Sequence, residues 1–465
     1  MKIIVPILVL AGAAHAAVSA DSLPATTSTS SIFRALDEVA LPPHLALESV
    51  PRAQRVTRDE AVAIALRDSP VIKAARDAVE MARGDYVHSS AANNPTVQAG
   101  GSYLPHPRDS DGPNAQDFPD RDVTYFQYVL PTSGRRYWAT HSAQGRFEAA
   151  VAVESQAELD LVLAVKSAYA DLQQATETIA VNAETWKIAH VFAELAARQF
   201  KAGAVPYANV VAAGVAEAQA EQALTTAHFD LRTKEKALAF QLGHPTEKRV
   251  AAADALDEAP VHGTLDELQR AALAHRPEVV AAEATLRGLV AQIGAAKADR
   301  RPDLTLQGTP SDITSNSGGV PYKAYIQMPL WDRGQIGGNV AQARAAAQQA
   351  EHNLQQEKLQ VGQDVAAAYL AVMTQEGVLT QEVERILPAT RRLLEMTRQT
   401  YLAGASTILD VLYAQQQYRT ESLNHVAAAG ALARADAQLE RATASAVPRE
   451  RRHPFRWRPD DEAER

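Results

Sequence analysis

FKAGAVPYANVVAAGVAEAQ (Phe200–Gln219) and YLAGASTILDVLYAQQQ (Tyr401–Gln417) carry one pattern twice. Each has an aromatic residue, Ala-Gly, a short polar or proline-bearing turn, and an alanine-dense helix. Glycine tolerates the left-handed conformation that closes a helix C-terminus. Pro206, or the Ser406-Thr407 pair, suits the first turn of the next helix. Both stretches therefore read as helix–glycine–helix corners, at the tips of helical hairpins.

The corners belong to a longer repeat, the feature to look for first in a chain of this length. TRDEAVAIALRDSPVIKAA from Thr57 aligns with TLDELQRAALAHRPEVVAA from Thr264. Thr57/Thr264, Pro70/Pro277 and Pro95/Pro302 share an offset of 207. Further on, Gln127/Gln327 and Gly134/Gly334 give 200, and Gly203/Gly404 gives 201. One insertion within Tyr103–Val123 accounts for most of the change, so the chain is a tandem duplication.

Each half reads helix, strand, strand, very long helix, helix. Thr57-Arg-Asp-Glu60 and Thr264-Leu-Asp-Glu267 have capping-box spacing. The opening helix is expected to run unbroken from Thr57 to about Ala92, ~54 Å. LTLQG and YKAYIQMPL alternate with period two, so they predict strands with one apolar and one polar face. Phe126, Leu130, Ile326 and Leu330 fall on the apolar side, with Gln127 and Gln327 on the polar side. The intervening Pro/Gly/Asp/Ser-rich segments read as hairpin loops. From about Tyr137 to Lys201 a helix of ~95–100 Å is expected. Val162, Val165, Tyr169, Leu172, Thr176, Ile179, Ala183 and Trp186 recur along it in steps of three and four. Val365, Tyr369, Val372, Leu379, Val383 and Ile386 repeat the stripe, the period of a left-handed coiled-coil contact.

The 465 residues carry a net charge of −9 and no cysteine. Mild acidity argues against a nucleic-acid partner. Lack of cysteine removes disulfides and thiolate metal sites. MKIIVPILVLAGAAHAAVSA (1–20) has the layout of a signal peptide, with cleavage after Ala16 or Ala20. No later segment offers the ~20 uninterrupted apolar residues of a membrane-spanning helix. Residues 21–56 read as an extended arm, 57–256 and 257–446 as the two repeats, and 447–465 as a charged tail. The thirteen histidines form no metal-ligand spacing, and His106 reads as an exposed loop residue. No catalytic motif and no cofactor-binding motif is present. The fold class is mainly α with a small β part.

Four strands cannot close a membrane barrel, which needs about eight. Unpaired strand edges are excluded from lipid. Strands that enter a membrane must then be pooled by several copies; three chains would give a twelve-stranded barrel. With these features the chain resembles the TolC family of outer-membrane efflux channels from Thr57 to about Ala446. The residues carrying the resemblance are the doubled corner, Asp410-Val-Leu followed by Ala-Gln, the paired strand hairpins and the duplication. LWDRGQ (Leu330–Gln335) and PTSGRR resemble a CzcC-like branch serving heavy-metal efflux.

The resemblance implies a passive homotrimeric duct in outer-membrane lipid, with a periplasmic helical extension, an adaptor protein and an inner-membrane pump. Metal cations or drugs are its implied cargo. It also implies that the corners lie at the pump-facing end and that Asp410 belongs to an acidic ring at the periplasmic aperture. Tyr413 stands where a second acid is expected, and Tyr401 matches a latch tyrosine. The arginine expected near Ser406 is missing, and Asn209 replaces a latch aspartate, so the charged latch is not reproduced. The alternative from another class is a structural periplasmic coiled-coil protein or adaptor. That reading leaves four amphipathic strands unexplained.

Overall fold

The computed structural model describes residues 54–100, 123–244, 249–256, 263–308, 322–328 and 331–444. The expected leader, the arm before Gln54, the interstrand loops with His106, Leu330 and the charged tail lie outside the described residues. The first half comprises β1 (Gln54–Val56), α1 (Arg58–Asp68), α2 (Pro70–Ser90), β2 (Thr96–Gly100), β3 (Val123–Leu130), α3 (Arg135–Lys201) and α4 (Tyr207–Gln241). After β4 (Val250–Ala252), the second half comprises α5 (Leu265–His275), α6 (Pro277–Ala298), β5 (Asp303–Gly308), β6 (Tyr322–Gln327) and α7 (Gln335–Gln381). A π turn (Glu382–Ile386), α8 (Leu387–Leu402) and α9 (Ile408–Thr443) complete it. Two compact units result, one of residues 178–229 with 385–423 and one of the remaining described residues.

Both opening helices start with the expected capping box. Thr57 N–H donates to Glu60 Oε2 at 2.9 Å, and Thr264 N–H to Glu267 Oε2 at 3.1 Å. Neither helix then runs unbroken, contrary to the sequence expectation. Ser69 and Arg276 adopt extended backbone (ψ 129° and 128°) before Pro70 and Pro277, which open α2 and α6. The cause is steric: proline disfavours helical geometry in the residue before it. The two breaks differ chemically. Ser69 caps α2 by accepting from Val71 N–H at 3.3 Å. Arg276, 2% exposed, donates to Glu278 (3.0 and 3.2 Å) and to Asp364 on α7 (2.9 Å). Arg441 on α9 joins Glu278 (2.7 Å) to Asp160 on α3 (2.8 Å). The network thus ties four helices together.

The long helix α3 has 67 residues, ~100 Å. Val165, Tyr169, Leu172, Ile179 and Trp186 are buried along the expected stripe, whereas Thr176 within it is exposed. A second stripe, Ala175, Asn182, Ala189 and Ala196, is buried as well at seven-residue spacing. On α7 the matching stripe, Val361, Val365, Val372 and Leu379, packs with Leu268, Val279, Leu432 and Leu439 from α5, α6 and α9. The stripe fails at Val383, which is 43% exposed, while Glu382 beside it is 8% exposed. Pro388, in the first turn of α8, removes a backbone donor from the helical ladder. The π turn just before it takes in an extra residue and rotates the apolar face out of phase.

The four long strands form one antiparallel sheet in the order β2-β3-β5-β6. Its register stacks Val97, Phe126, Gly308 and Tyr322 in one row. Tyr128–Leu306–Ala324 and Leu130–Leu304–Ile326 follow on the same face. The other face carries Thr96, Gln127, Gln307 and Lys323, then Val129, Thr305 and Tyr325. Gln327 pairs with Asp303 in the register. A second, parallel pair of strands, β1 and β4, was not expected from the sequence. It is pinned to α3 by Tyr169, whose hydroxyl donates to Val56 O at 3.0 Å and accepts from Ala253 N–H at 3.2 Å. Gln173 Nε2 donates to the carbonyls of Asp254 and Ala255.

By length and composition α6 is apolar enough to cross a membrane. Its contacts are instead those of a packed helix. A Cβ added at Gly145 of α3 would stand 2.6 Å from Gly288 Cα on α6, so the two backbones touch. Arg287 and Glu283 on α6 pair with Glu148 and Lys358 at 2.8 and 3.0 Å.

His425 on α9 is 1% exposed, and burial pushes its imidazole down to about 4. The neutral ring is favoured in the fold, whereas the unfolded chain protonates below ~6.5. Stability is therefore full above pH ~6.5 and falls as pH drops towards 4, by up to about 3 kcal/mol. Thermal unfolding across this range should show that His425→Leu flattens the acid-side slope. Superimposable slopes for the two proteins would refute it.

Candidate functional site: the paired helical corners

Both corners close with the same hydrogen bonds. Gly203 N–H donates to Phe200 O and Ala204 N–H to Gln199 O, each 2.9 Å. Gly404 N–H and Ala405 N–H repeat this to Tyr401 O and Thr400 O, again at 2.9 Å. This is the Schellman arrangement, with the glycine left-handed at φ 74° in each copy. The surrounding side chains differ. The first corner is bridged by a ring contact between Phe200 and Tyr207 at 5.3 Å. In the second, Thr400 Oγ1 donates to Ser406 Oγ at 3.1 Å.

Pro206 and Thr407 begin the returning helices at equivalent places, with Asn209 and Asp410 three residues on. Asp410 folds back on its own helix start: Oδ2 accepts from Thr407 N–H (2.8 Å) and Thr407 Oγ1 (2.7 Å). These bonds, the hydroxyl's first, hold its carboxyl below the usual carboxylate range. Asp410 is therefore a helix cap as well as an exposed anion. Tyr413, three residues on, is 65% exposed. Asn209 is half-buried, and its backbone N–H donates to Pro206 O at 3.0 Å.

Tyr401 is placed differently. It is buried in a cluster with Ile188, Phe192, Ala196, Ala213, Ile408 and Val411. Its hydroxyl donates to Gln199 Oε1 at 2.6 Å, joining α8 to α3. Burial raises the phenol above its ordinary range. The sequence reading missed Gln199, although a tyrosine in a corner core needs a polar partner. It also missed the polar bonds that line this unit. Arg419 grips Asn182 Oδ1 through Nε and Nη2 (3.2 and 3.1 Å), and Gln415 Nε2 reaches Thr185 O at 3.1 Å. Burial lowers the Arg419 guanidinium from its ordinary value. His190 Nδ1 lies 2.6 Å from Glu217 Oε1, with the ring stacked on Trp186. In the other unit, Gln127 Nε2 donates to Tyr325 OH at 3.4 Å on the polar face of the sheet. Among the described residues no cluster has the composition of a metal site.

Duplicated long helical hairpins joined to a sheet with one apolar face define the architecture of TolC-like outer-membrane channels. Residues 61–244 and 268–445 match the outer membrane efflux protein family, and the chain belongs to it. Nodulation protein T of Rhizobium leguminosarum bv. viciae is 25% identical over 338 residues, 67% of this chain and 66% of its own length. The probable outer membrane lipoprotein SilC of Salmonella typhimurium is 27% identical over 271 residues, 55% of this chain and 57% of that protein. The chain thus spans less than two thirds of the length of these curated relatives. Among solved structures, the Campylobacter jejuni CmeC outer membrane channel superposes with a TM-score of 0.72. It is 16% identical, over 88% of this chain and 93% of that one.

At both corner glycines nothing lies within 4 Å of an added Cβ, so only backbone strain opposes a side chain. Gly203→Val and Gly404→Val should each cost more than the ~1–2 kcal/mol of a left-handed residue, and Gly404→Asn less. Thermal unfolding of the three variants measures the order. Equal stability of Gly404→Val and wild type would contradict the strain assignment.

Proposed function

We propose that the chain is the outer-membrane channel of a tripartite efflux assembly. Three copies pool their sheets into a twelve-stranded barrel, whose apolar face meets lipid and whose polar face, with Gln127 and Gln327, lines the lumen. The observation carrying this reading is the sheet: β2 and β6 each pair on one side only among the described residues. Ile326 and Phe126 stand 66% and 47% exposed on one face. A lipid environment accepts such a face but not such edges, so neighbouring copies must cover them. The duct is passive, and energy comes from an inner-membrane pump reached through a periplasmic adaptor at the corners. Metal cations or drugs are the proposed cargo.

In this assembly the exposed carboxylates of three Asp410 residues attract cations where the aperture is narrow, and Tyr413 constricts it without adding charge. Tyr401, buried within one chain, supports the corner from behind.

Ile326→Arg places a charge on the lipid face and should cost ~2–4 kcal/mol near the bilayer midplane. Trimer yield in the outer-membrane fraction reads this directly; undiminished yield would overturn the assignment of that face. For Asp410, single-channel recordings in planar bilayers separate the cap from the charge. Asp410→Asn keeps an acceptor for Thr407 and loses the charge, so it should reduce cation preference as much as Asp410→Ala does. Unchanged selectivity in both would leave Asp410 a cap alone.

A further inference from the structure

One end of the sheet holds a concentration of positive charge in an otherwise acidic chain. Strands β3, β5 and β6 end together there, with Leu130, Leu304 and Ile326 in one row and Asp303 beside Gln327. Immediately beyond stand Arg135, Arg136, Lys297, Arg300, Arg301 and Arg333. Contacts bind these segments into one junction. Thr132 Oγ1 donates to Pro302 O at 2.7 Å, and Arg301 Nη1 to Ser133 O at 3.5 Å. The acids among them are already engaged. Asp299 pairs with Arg135 (3.4 Å), and Asp303 accepts from Ser133 N–H (3.1 Å). Asp332 caps α7 through Ile336 and Gly337 N–H, with Arg300 3.7 Å away. The six cations outnumber these three acids and stay largely exposed: the Arg135 and Arg300 side chains are each 66% exposed, and Lys297, Arg301 and Arg333 are exposed as well.

Two further observations give the patch a partner. The long helix α3 begins here on Arg135-Arg136 with no acid in its first turn, whereas the α7 start is already capped by Asp332. Cations at a helix N-terminus oppose its dipole, and an external anion would relieve both. Trp331 and Tyr137, 84% and 57% exposed, flank the charges. Amphipathic rings of this kind sit at the level of lipid headgroups.

We propose that this strand–helix junction is a belt that binds anionic phospholipid headgroups, their phosphates held by the arginines and their acyl chains lying on the apolar face of the sheet. Guanidinium matches phosphate geometry, and basic residues beside a membrane segment favour anionic lipid. The inference rests on the membrane placement of the sheet argued above.

The test uses full-length trimers purified in detergent and melted against added phosphatidylglycerol, phosphatidylcholine of the same acyl chains, or inorganic phosphate. Phosphatidylglycerol should stabilise at about tenfold lower concentration than phosphatidylcholine, and rising salt should erase the difference. Combined Arg135→Gln, Arg300→Gln and Arg333→Gln should make the two lipids equivalent, while the corresponding lysine variant keeps part of the preference. Equal response of the wild type to both lipids, or a preference retained by the glutamine variant, overturns the belt. Stabilisation by inorganic phosphate alone would overturn lipid as the occupant. Normal membrane assembly of Ile326→Arg would instead remove the underlying placement, a failure read independently of the melting curves.

Discussion

Backbone hydrogen bonding at the sheet edges is the constraint on which the rest of the molecule depends. A strand cannot present free N–H and C=O groups to hydrocarbon, where each costs several kcal/mol. With four strands in the order β2-β3-β5-β6, one chain satisfies three internal ladders and leaves two outer edges. In the assembly proposed above, other copies meet both. Duplication makes this economical: each repeat supplies one hairpin, and β3 pairs with β5 across the repeat boundary. The same chain passage sets α3 and α7 immediately after β3 and β6. Two stripes of α3 are buried, so this helix is packed on more than one side.

Duplication did not leave two equal halves. At equivalent positions Ser69 caps a helix while Arg276 anchors a buried ion network; Asn209 stands where Asp410 does; Pro206 stands where Thr407 does. Each substitution exchanges a local backbone solution for another that adds charge or polarity in the second copy. The Thr407–Asp410 box replaces what Pro206 does by fixing its own φ. Pro388 introduces the π turn into the second long helix, and α3 has no such break at the matching place. The carboxylate at the second corner is thus tied to a helix start, which holds the side chain in one orientation at an exposed site.

Much of this was legible in the residues because it depends on local rules. The Thr-x-x-Glu boxes, the left-handed glycines and the period-two strands need only a few neighbouring positions to declare themselves, and all three appear where expected. The apolar and polar faces of the sheet follow from alternation, and the register aligns them across four strands. The helix breaks at Ser69 and Arg276 are legible in the prolines that follow them, although the alanine-rich pattern runs on without a break. The burial of Tyr401 was not legible: it depends on α3, α8 and α9 meeting, some 200 positions apart in sequence. The phase shift at Val383 was hidden for a related reason, since a coiled-coil stripe assumes constant helical pitch. Strand β1 is three residues long, below what periodicity can resolve.

The two compact units are held by different chemistry. In the larger one Arg276, Glu278, Asp364, Arg441 and Asp160 form a chain of charge in which Arg276 is almost fully buried. Removing one partner from such a network leaves a desolvated charge, a loss of ~3–5 kcal/mol. The unit that carries the corners holds a small cluster around Phe192 and Tyr401, the Arg419–Asn182 and His190–Glu217 contacts, and uncharged bonds at Gln199 and the Thr185 carbonyl. A neutral hydrogen bond contributes only ~0.5–1.5 kcal/mol net, because water replaces it when it opens. An uncharged bond such as Tyr401 to Gln199 therefore opens at lower cost than a bond to the buried Arg276.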